Sequence, residues 1–484
     1  MIFASFEFLL LFLPLFFACY FLTSFRYRNW IIVVFSWAFY AWWRVDFLAL
    51  LVSVTVGTFA IARAMGAVGP TTLRGGRLMV LGLIFNLGAL GYFKYANFGV
   101  AQFNVIIAAL GFAPAPWSQI VLPVGLSFYV LQSVSYLVDV RRGTVPISRS
   151  FLNYAAYKAI FCQLIAGPIV RYAEIADELK SRKQSLRQFG AGARLFMIGF
   201  AMKVIFGDTL SPVVDAVFTL PKPTLQEAWT GALSYTLQLY FDFAGYSLLA
   251  IGLALMMGFH FPRNFNNPYL ADSIQNFWQR WHMTLSRFLR DYLYIPFGGN
   301  RHGVFRTYLN LLLVMVIGGA WHGASWNFII WGAWHGGWLA LHRWWSRDHA
   351  KARAAHTPMP WLVANLLTML VVITGWVVFR AHDLHGAMQV YSGMLGFNGF
   401  GLSDALVWQI TPDRWWCIPI AIAMVYLPLL YERNPRLHAL VIAGNGVLGK
   451  TAFSLWLVGP LVAFALGVVL LYSRDAVPFL YFQF

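Results

Sequence analysis

Long apolar runs recur from one end of this chain of 484 residues to the other, and they limit its fold more than any other feature. Hydrophobic residues make up 60% of the sequence and charged residues only 11%. A soluble protein carries about a quarter charged residues. Since about 20 apolar residues span a bilayer as a helix, we count about eleven to thirteen spanning or re-entrant segments, some short or broken. The sequence therefore predicts an all-α polytopic membrane protein.

The polar intervals between these runs are short. The longest are Arg171–Arg187 and Arg343–Pro360, and neither is long enough for a soluble domain. The sequence has no internal repeat and no low-complexity linker. We therefore predict a single integral-membrane domain over residues 1–484.

The net charge of +17 comes from Lys and Arg residues at the ends of the apolar runs. That distribution is the positive-inside pattern of membrane proteins, so we do not expect a nucleic-acid partner. The first span, Phe6 to Leu22, has no basic residue before it and is followed by Arg26 and Arg28. We predict an extracytoplasmic N-terminus without a cleavable signal peptide. The segments predicted to be cytoplasmic are Arg63–Arg77, Arg141–Arg142 and Arg171–Arg194.

The three cysteines, Cys19, Cys162 and Cys417, all lie in apolar sequence and lack the spacing of metal ligands. A structural disulfide is not expected. We predict that they pack as small hydrophobic side chains.

One strongly polar stretch interrupts the apolar pattern, FWQRWHMTLSRFLRDYLYIPFGGNR from Phe277 to Arg301. Read as one amphipathic helix, it has an apolar face, a charged face and a narrow polar stripe that carries His282. The arginines favour a position among lipid headgroups. The apolar face consists of Ile274, Phe277, Trp278, Trp281, Leu285, Phe288 and Tyr292, and the opposite face of Arg280, Thr284, Arg287 and Asp291.

A second polar residue, His322, lies within the apolar segment GGAWHGASWNFIIWGAWHGGWLALHRWW, from Gly318 to Trp345. An ionisable side chain at membrane depth indicates function. Imidazole suits general base catalysis, and burial favours its neutral form. The small residues around it allow close approach of helices or access of a substrate. His335 follows thirteen residues later and would point elsewhere on one continuous helix. A histidine metal or haem site is the weaker alternative, and no other catalytic or nucleotide-binding motif occurs.

Motifs along nearly the whole chain resemble those of the membrane-bound O-acyltransferase family. They include MIFASFEFLLLFLPLFF, FYAWWRVDF, GYFKYANF, LPVGLSFYVLQSVSYLVDV, IAGPIVR, LYFDFAGYS, MMGFHFPRNFNNPY, PFLYFQF and the two histidine-bearing segments above. Most of them are similar to the bacterial branch that O-acetylates polysaccharides such as alginate. In that branch an acidic residue follows GYS, whereas Leu248 follows Ser247 here. FDFAGYSLLA and RWHMTLS are closer to the branch that passes D-alanine to teichoic acid. The polymer is therefore left open.

The resemblance implies helices around a central channel, with a catalytic core at roughly residues 120–380. It also implies that His322 is the catalytic base and His282 the second catalytic residue. The donor would be a cytoplasmic acetyl-CoA or acylated carrier, a substrate rather than a bound cofactor. We expect no metal. The candidates for binding the anionic end of the donor are Arg280, Arg287, Arg290 and Arg301.

The resemblance further implies a multi-pass protein of the bacterial inner membrane, surrounded by lipid. Its expected partners are a polysaccharide acceptor and periplasmic acyltransferases of the same pathway. Whether it acylates the sugar itself or loads a partner stays open. Two other classes of protein fit the sequence less well. A transporter or flippase would account for the interruption at Gly167–Pro168 and the short run Val105–Leu110. A non-catalytic platform of an export complex would account for histidines that only pack.

Overall fold

A computed structural model describes residues 2–352, 359–433 and 446–474. The regular elements in these ranges are helices, and this confirms the all-α class. The α-helices are α1 (Leu13–Leu22), α2 (Arg28–Ala41), α3 (Val45–Val68), α4 (Leu73–Ala109), α5 (Leu126–Arg142), α6 (Phe151–Ala159), α7 (Phe161–Leu164), α8 (Tyr172–Lys180), α9 (Leu186–Ala201), α10 (Thr209–Phe218), α11 (Leu225–Met256), α12 (Ile274–Arg280), α13 (Met283–Leu289), α14 (Gly303–His322), α15 (Trp326–Ala352), α16 (Trp361–Arg380), α17 (Leu384–Met394), α18 (Asp404–Gln409), α19 (Pro412–Arg433) and α20 (Gly446–Ser473). Segments Glu7–Phe12, Met202–Asp208 and Arg290–Tyr294 are π-helical, and Phe25–Tyr27 and Pro268–Leu270 form 3₁₀ turns.

Seven of the described helices are long and apolar enough to cross a membrane. Two shorter apolar helices, Glu7–Leu22 and Leu457–Ser473, add to them. These helices confirm a polytopic membrane protein. The long ones are Val45–Val68, Leu73–Ala109, Leu186–Phe218, Leu225–Met256, Gly303–His322, Trp361–Arg380 and Pro412–Leu430. The motif PFLYFQF lies outside the described residues.

The described chain divides into two compact units. The sequence predicts one domain and does not indicate this division. Residues 2–193 and 249–262 form the first unit. Its core contains a cluster of phenylalanine rings in which Phe161 lies 5.0 Å from Phe16 and 5.2 Å from Phe12. The chain between α7 and α8 is not helical, as the Gly167–Pro168 pair predicts. The run Val105–Leu110 is no separate broken span, because residues 105–109 are the last residues of the long helix α4.

Residues 194–248, 263–352, 359–433 and 446–474 form the second unit. Its central feature is the antiparallel pair of α14 and α15, whose backbones approach closely where glycines meet. A Cβ atom on Gly319 would lie 2.1 Å from the carbonyl oxygen of Phe328, and one on Gly332 would lie 2.4 Å from that of Met315. This contact confirms the close helix approach predicted for the small residues around His322. Helices α12 and α16 pack beside this pair.

A buried ionic group lies elsewhere in the second unit. The ammonium group of Lys203, on the π-helical segment, contacts the carboxylates of Asp208 and, at 3.6 Å, of Asp242. All three side chains are buried. The cysteines agree with their predicted role in part. Cys162 and Cys417 are buried free thiols, whereas Cys19 is only half-buried.

Candidate active site

The helix predicted across His282 is broken at that residue, so the prediction of one continuous amphipathic helix was wrong. Helix α12 ends at Arg280, helix α13 begins at Met283, and His282 between them has φ 41° and ψ 53°. This left-handed conformation is uncommon for a residue other than glycine. His282 and Asn267 are the two non-glycine residues of the described chain that adopt a positive φ. Such outliers often mark functional sites.

The break has a physical cause in the preceding loop, residues 263–267. The backbone N–H of Asn266 donates to the carbonyl of Arg280 at 2.9 Å, and the N–H of Met283 donates to the carbonyl of Asn264 at 2.8 Å. These two bonds satisfy backbone groups that a continuous helix would pair internally. The loop therefore supplies, at the break, hydrogen bonds that a continuous helix would make within itself.

Burial of the side chains tests the helix faces predicted around His282. The apolar face was predicted correctly, whereas one residue of the charged face was not. The seven residues assigned to the apolar face are all buried, which confirms that face. They pack against aromatic side chains of the protein, since Trp281 lies 5.0 Å from Trp376. Thr284, assigned to the charged face, is only 1% exposed. The break rotates α13 relative to α12, so a single helical wheel does not apply to both.

The side chain of His282 is held by one polar cluster and is 1% exposed. Its Nδ1 lies 3.0 Å from Oδ1 of Asn264. The same oxygen accepts from the Thr284 hydroxyl at 2.9 Å, and the Asn264 amide donates to Ser247 Oγ at 3.1 Å. His282 Nε2 is buried and makes no hydrogen bond to a residue that the structure describes. Sequence reasoning gave Asn264 and Thr284 no role in the site, since only the folded loop brings them to the histidine.

His322 is the last residue of α14 and is 5% exposed. The apolar segment that carries it is not one span, because the helix stops at Gly323 and α15 begins at Trp326. The ring of Phe328 folds over the turn and would lie 2.0 Å from a Cβ atom at residue 323. The signal for this turn was present in the sequence. Ser325 accepts a hydrogen bond from the N–H of Asn327 at 3.3 Å, as a helix N-cap does.

The prediction for His335 assumed one continuous helix, whereas a turn separates the helix of His322 from that of His335. Both histidines contact the same indole. The indole of Trp331 lies 5.1 Å from the His322 ring and 5.0 Å from the His335 ring. His335 is fully buried among aromatic rings, with Trp278 at 5.3 Å and Trp376 at 5.9 Å. The described residues include no group of three or more His, Cys, Asp or Glu that could hold a metal ion.

The indole ring of Trp321 contacts both His282 and His322. The centre of the Trp321 ring is 6.3 Å from that of His282 and 4.9 Å from that of His322. Phe243 covers His282 at 4.8 Å, and Phe379 covers His322 at 5.3 Å. Two imidazoles from different segments therefore contact the same indole in an apolar, aromatic environment. Such an environment strengthens electrostatic interactions with any charge that develops there.

The four candidate donor-binding arginines differ in exposure. Arg290 and Arg301 are exposed, whereas Arg280 and Arg287 are half-buried. Arg290 pairs with the neighbouring Asp291 at 2.7 Å, and Arg280 reaches the carbonyl of Asn266 at 3.4 Å. Their role in donor binding stays a prediction.

Comparison with known proteins identifies the family. The model of the membrane-bound O-acyltransferase family matches residues 145–380, which include both histidines. A probable alginate O-acetylase of Azotobacter vinelandii is 44% identical over 505 residues, and the alignment covers 100% of each chain. The chain belongs to the membrane-bound O-acyltransferase family. A probable alginate O-acetylase of Pseudomonas putida is 45% identical over 100% of both chains. A peptidoglycan O-acetyltransferase of Helicobacter pylori is 38% identical over 82% of this chain and 80% of its own.

Membership in the family makes this protein an O-acyltransferase of the membrane. The family assignment and the geometry agree with the chemistry that such an enzyme needs. Acyl transfer to a hydroxyl requires a base for the hydroxyl proton and stabilisation of the charge on the attacked carbonyl. Two buried imidazoles that contact one indole offer both kinds of group.

Proposed function

We propose that this acyltransferase moves an acetyl group from a cytoplasmic thioester, acetyl-CoA or an acylated carrier, for the O-acetylation of an extracytoplasmic polysaccharide. The observation that carries the proposal is that His282 and His322, from different segments, both contact the indole of Trp321. The relatives named as probable alginate O-acetylases support alginate as the polymer. Their bacterial sources support the inner membrane as the location. The basic residues after the first span favour an extracytoplasmic N-terminus.

In the proposed reaction His322 acts as general base. It removes the proton from the attacking hydroxyl while the hydroxyl oxygen bonds to the thioester carbonyl. The carbon–sulfur bond then breaks, and the leaving thiolate takes the proton from the His322 imidazolium, so that the base is regenerated. His282 orients the acceptor or donates a hydrogen bond to the oxyanion. The aromatic rings around both histidines keep water from competing with the acceptor.

The donor contributes two parts to binding. Its acyl end must reach the histidines, and its anionic nucleotide or phosphopantetheine end needs cations outside the apolar site. Arg290 and Arg301 are exposed, and Arg287 follows His282 by five residues on α13. Arginine binds phosphate groups well because its planar head offers several donors at once. We therefore assign the anionic end of the donor to Arg287, Arg290 and Arg301, with Arg280 holding the loop of residues 263–267.

The test is transfer of labelled acetyl groups by purified, monodisperse variants. His322→Ala should abolish transfer without lowering the folded fraction. His282→Ala should reduce transfer severely, while His282→Asn should keep some activity, because an amide also donates and accepts hydrogen bonds. His382→Ala is the matched control, since that histidine is exposed and follows α16. Transfer by His322→Ala at the wild-type rate would refute the proposed role.

A second experiment identifies the group that receives the acetyl from this enzyme. Vesicles that contain only this protein receive labelled acetyl-CoA outside and acetyl-free polymannuronate inside. Label on the polymer means that the enzyme acylates the sugar directly. Label that reaches the sugar only after a periplasmic acyltransferase is added means that this enzyme loads a partner. Transport of polymer without incorporation of label would favour the transporter class.

A further inference from the structure

The hydrogen bonds around Asn264 determine which nitrogen of His282 carries the proton. The backbone N–H of Thr284 points at the side-chain atom of Asn264 that lies 3.3 Å away. A backbone N–H can only donate, so this atom must be the amide oxygen and not the amide nitrogen. The Thr284 hydroxyl reaches the same atom at 2.9 Å, as expected for an acceptor. The orientation of the Asn264 amide is thereby fixed.

The same oxygen lies 3.0 Å from Nδ1 of His282. An amide oxygen cannot donate, so the hydrogen in this contact must come from the histidine. Neutral imidazole carries one hydrogen, and its other nitrogen is then an acceptor. His282 therefore presents a lone pair at Nε2. This atom is buried and makes no hydrogen bond to the described part of the chain.

The position of Asn264 is itself fixed by two further contacts. Its carbonyl accepts from the N–H of Met283 at 2.8 Å, and its amide donates to Ser247 Oγ at 3.1 Å. The residue is fully buried. Ser247 ends the GYS motif on α11, so this motif acquires a role as an anchor of the asparagine. A residue held by such hydrogen bonds can impose one tautomer on a neighbour, as carboxylates and carbonyls do for other functional histidines.

We infer that Asn264 is a positioning residue, which holds the His282 proton on Nδ1 so that Nε2 accepts a hydrogen bond from a hydroxyl of the acyl acceptor. This inference rests on the proposed function and narrows the role of His282 to orienting the acceptor. In the neutral form Nε2 has no hydrogen to donate to an oxyanion. A sugar offers neighbouring hydroxyl groups. His322 would take the proton of the attacking hydroxyl, while Nε2 of His282 accepts a hydrogen bond from the adjacent hydroxyl.

The direct test is ¹⁵N solid-state NMR of protein labelled at its 11 histidines. The pair of signals that disappears in His282→Gln belongs to His282. In the wild type this pair should have the shifts of an imidazole protonated at Nδ1. In Asn264→Leu the His282 proton should redistribute to Nε2. A wild-type pair protonated at Nε2 would overturn the inference, whatever the activity of the variants.

Kinetics supply a second readout that a purely structural role would not change. Asn264→Leu should lower kcat about 100-fold per folded molecule, the scale of a misplaced catalytic group. Asn264→Asp keeps the accepting oxygen and should restore much of kcat. Its carboxylate would also stabilise the imidazolium form, so the acidic limb of the kcat–pH profile should move to higher pH.

Asn310→Leu is the matched control. Asn310 is also a buried asparagine of the second unit, and its amide donates to the carbonyls of Phe297 and Gly299. If Asn264 only stabilises the fold, both leucine variants should lose folded protein and keep the wild-type pH profile. That outcome would refute the positioning role. Wild-type activity of His282→Gln would instead refute the proposed function and leave the tautomer measurement intact.

Discussion

A substitution at Gly319 tests whether the close packing of α14 against α15 positions His322 for catalysis. In Gly319→Ala the new Cβ would lie 2.1 Å from the carbonyl oxygen of Phe328 and 3.0 Å from its carbonyl carbon. Both are backbone atoms of α15 and cannot rotate away. Ordinary van der Waals contact requires about 3.5 Å, so α14 and α15 must separate locally by more than about 1 Å.

The displacement should reach the proposed base. His322 follows Gly319 by three residues, one helical turn, at the end of the same helix. Its ring packs on Trp331 of α15 at 5.1 Å, so a separation of the helices moves the imidazole relative to its surroundings. A misplacement of about 1 Å can cost about 100-fold in rate. We expect kcat to fall by about that factor, with a loss of about 1–3 kcal/mol in the free energy of unfolding from overpacking.

Gly337→Ala is the matched control on α15, since a Cβ atom there meets nothing within 4 Å. Alanine favours a helix by about 1 kcal/mol over glycine, so this variant should be at least as stable as the wild type and fully active. The measurements are acetyl transfer per folded molecule and thermal unfolding in detergent. Wild-type kcat in Gly319→Ala, or equal losses in both variants, would refute the argument.

Three further predictions concern topology, donor binding and stability. Ser181→Cys, at the exposed end of α8, should resist a membrane-impermeant thiol reagent in intact cells and react once the membrane is opened, since the basic segment around it is predicted to be cytoplasmic. Arg287→Gln and Arg290→Gln should each raise the donor KM roughly tenfold, a loss of about 1.5 kcal/mol, and leave kcat near the wild type, because the contact is the same in the ground and transition states. Lys203→Met should destabilise the protein by about 3–5 kcal/mol in detergent unfolding, because it leaves two buried carboxylates without their cation.

Each of these predictions has its own control. Labelling of intact Ser181→Cys cells would contradict the orientation, and the buried Cys162 and Cys417 should contribute little background. Arg44→Gln removes another exposed arginine that pairs with a nearby aspartate. If this variant raises the donor KM as much as the Arg287 and Arg290 variants do, the increase is not specific to the proposed site. An unchanged donor KM in both site variants would mean that these arginines bind lipid headgroups instead.

The control for Lys203→Met is the triple variant that also carries Asp208→Asn and Asp242→Asn. Removal of the whole ionic group should recover most of the stability that the single change loses, because no unpaired charge of that group is then left buried. If the single variant unfolds at the wild-type temperature, the carboxylates do not depend on the lysine.

The sequence by itself determined the class of the protein and its family. Apolar runs of membrane-spanning length predict helices because the pattern is local, and each helix satisfies its own backbone. The apolar face of the stretch around His282 was likewise predictable, since residues three and four apart lie on one side of a helix. The small residues near His322 predicted a close helix contact, which Gly319 makes with Phe328.

Only the tertiary structure decided where those helices end. The two candidate histidines lie at such helix ends. The break at His282 depends on two backbone hydrogen bonds, from the N–H of Met283 to Asn264 and from the N–H of Asn266 to Arg280. These residues are 19 and 14 positions apart in the chain. Helical periodicity reports neighbours within one or two turns and contains no information about such distant bonds. The turn after His322 likewise brings His335 to the same indole, Trp331. Helical propensity competes there with packing of Phe328 over Gly323, and packing between distant elements is a property of the folded chain alone.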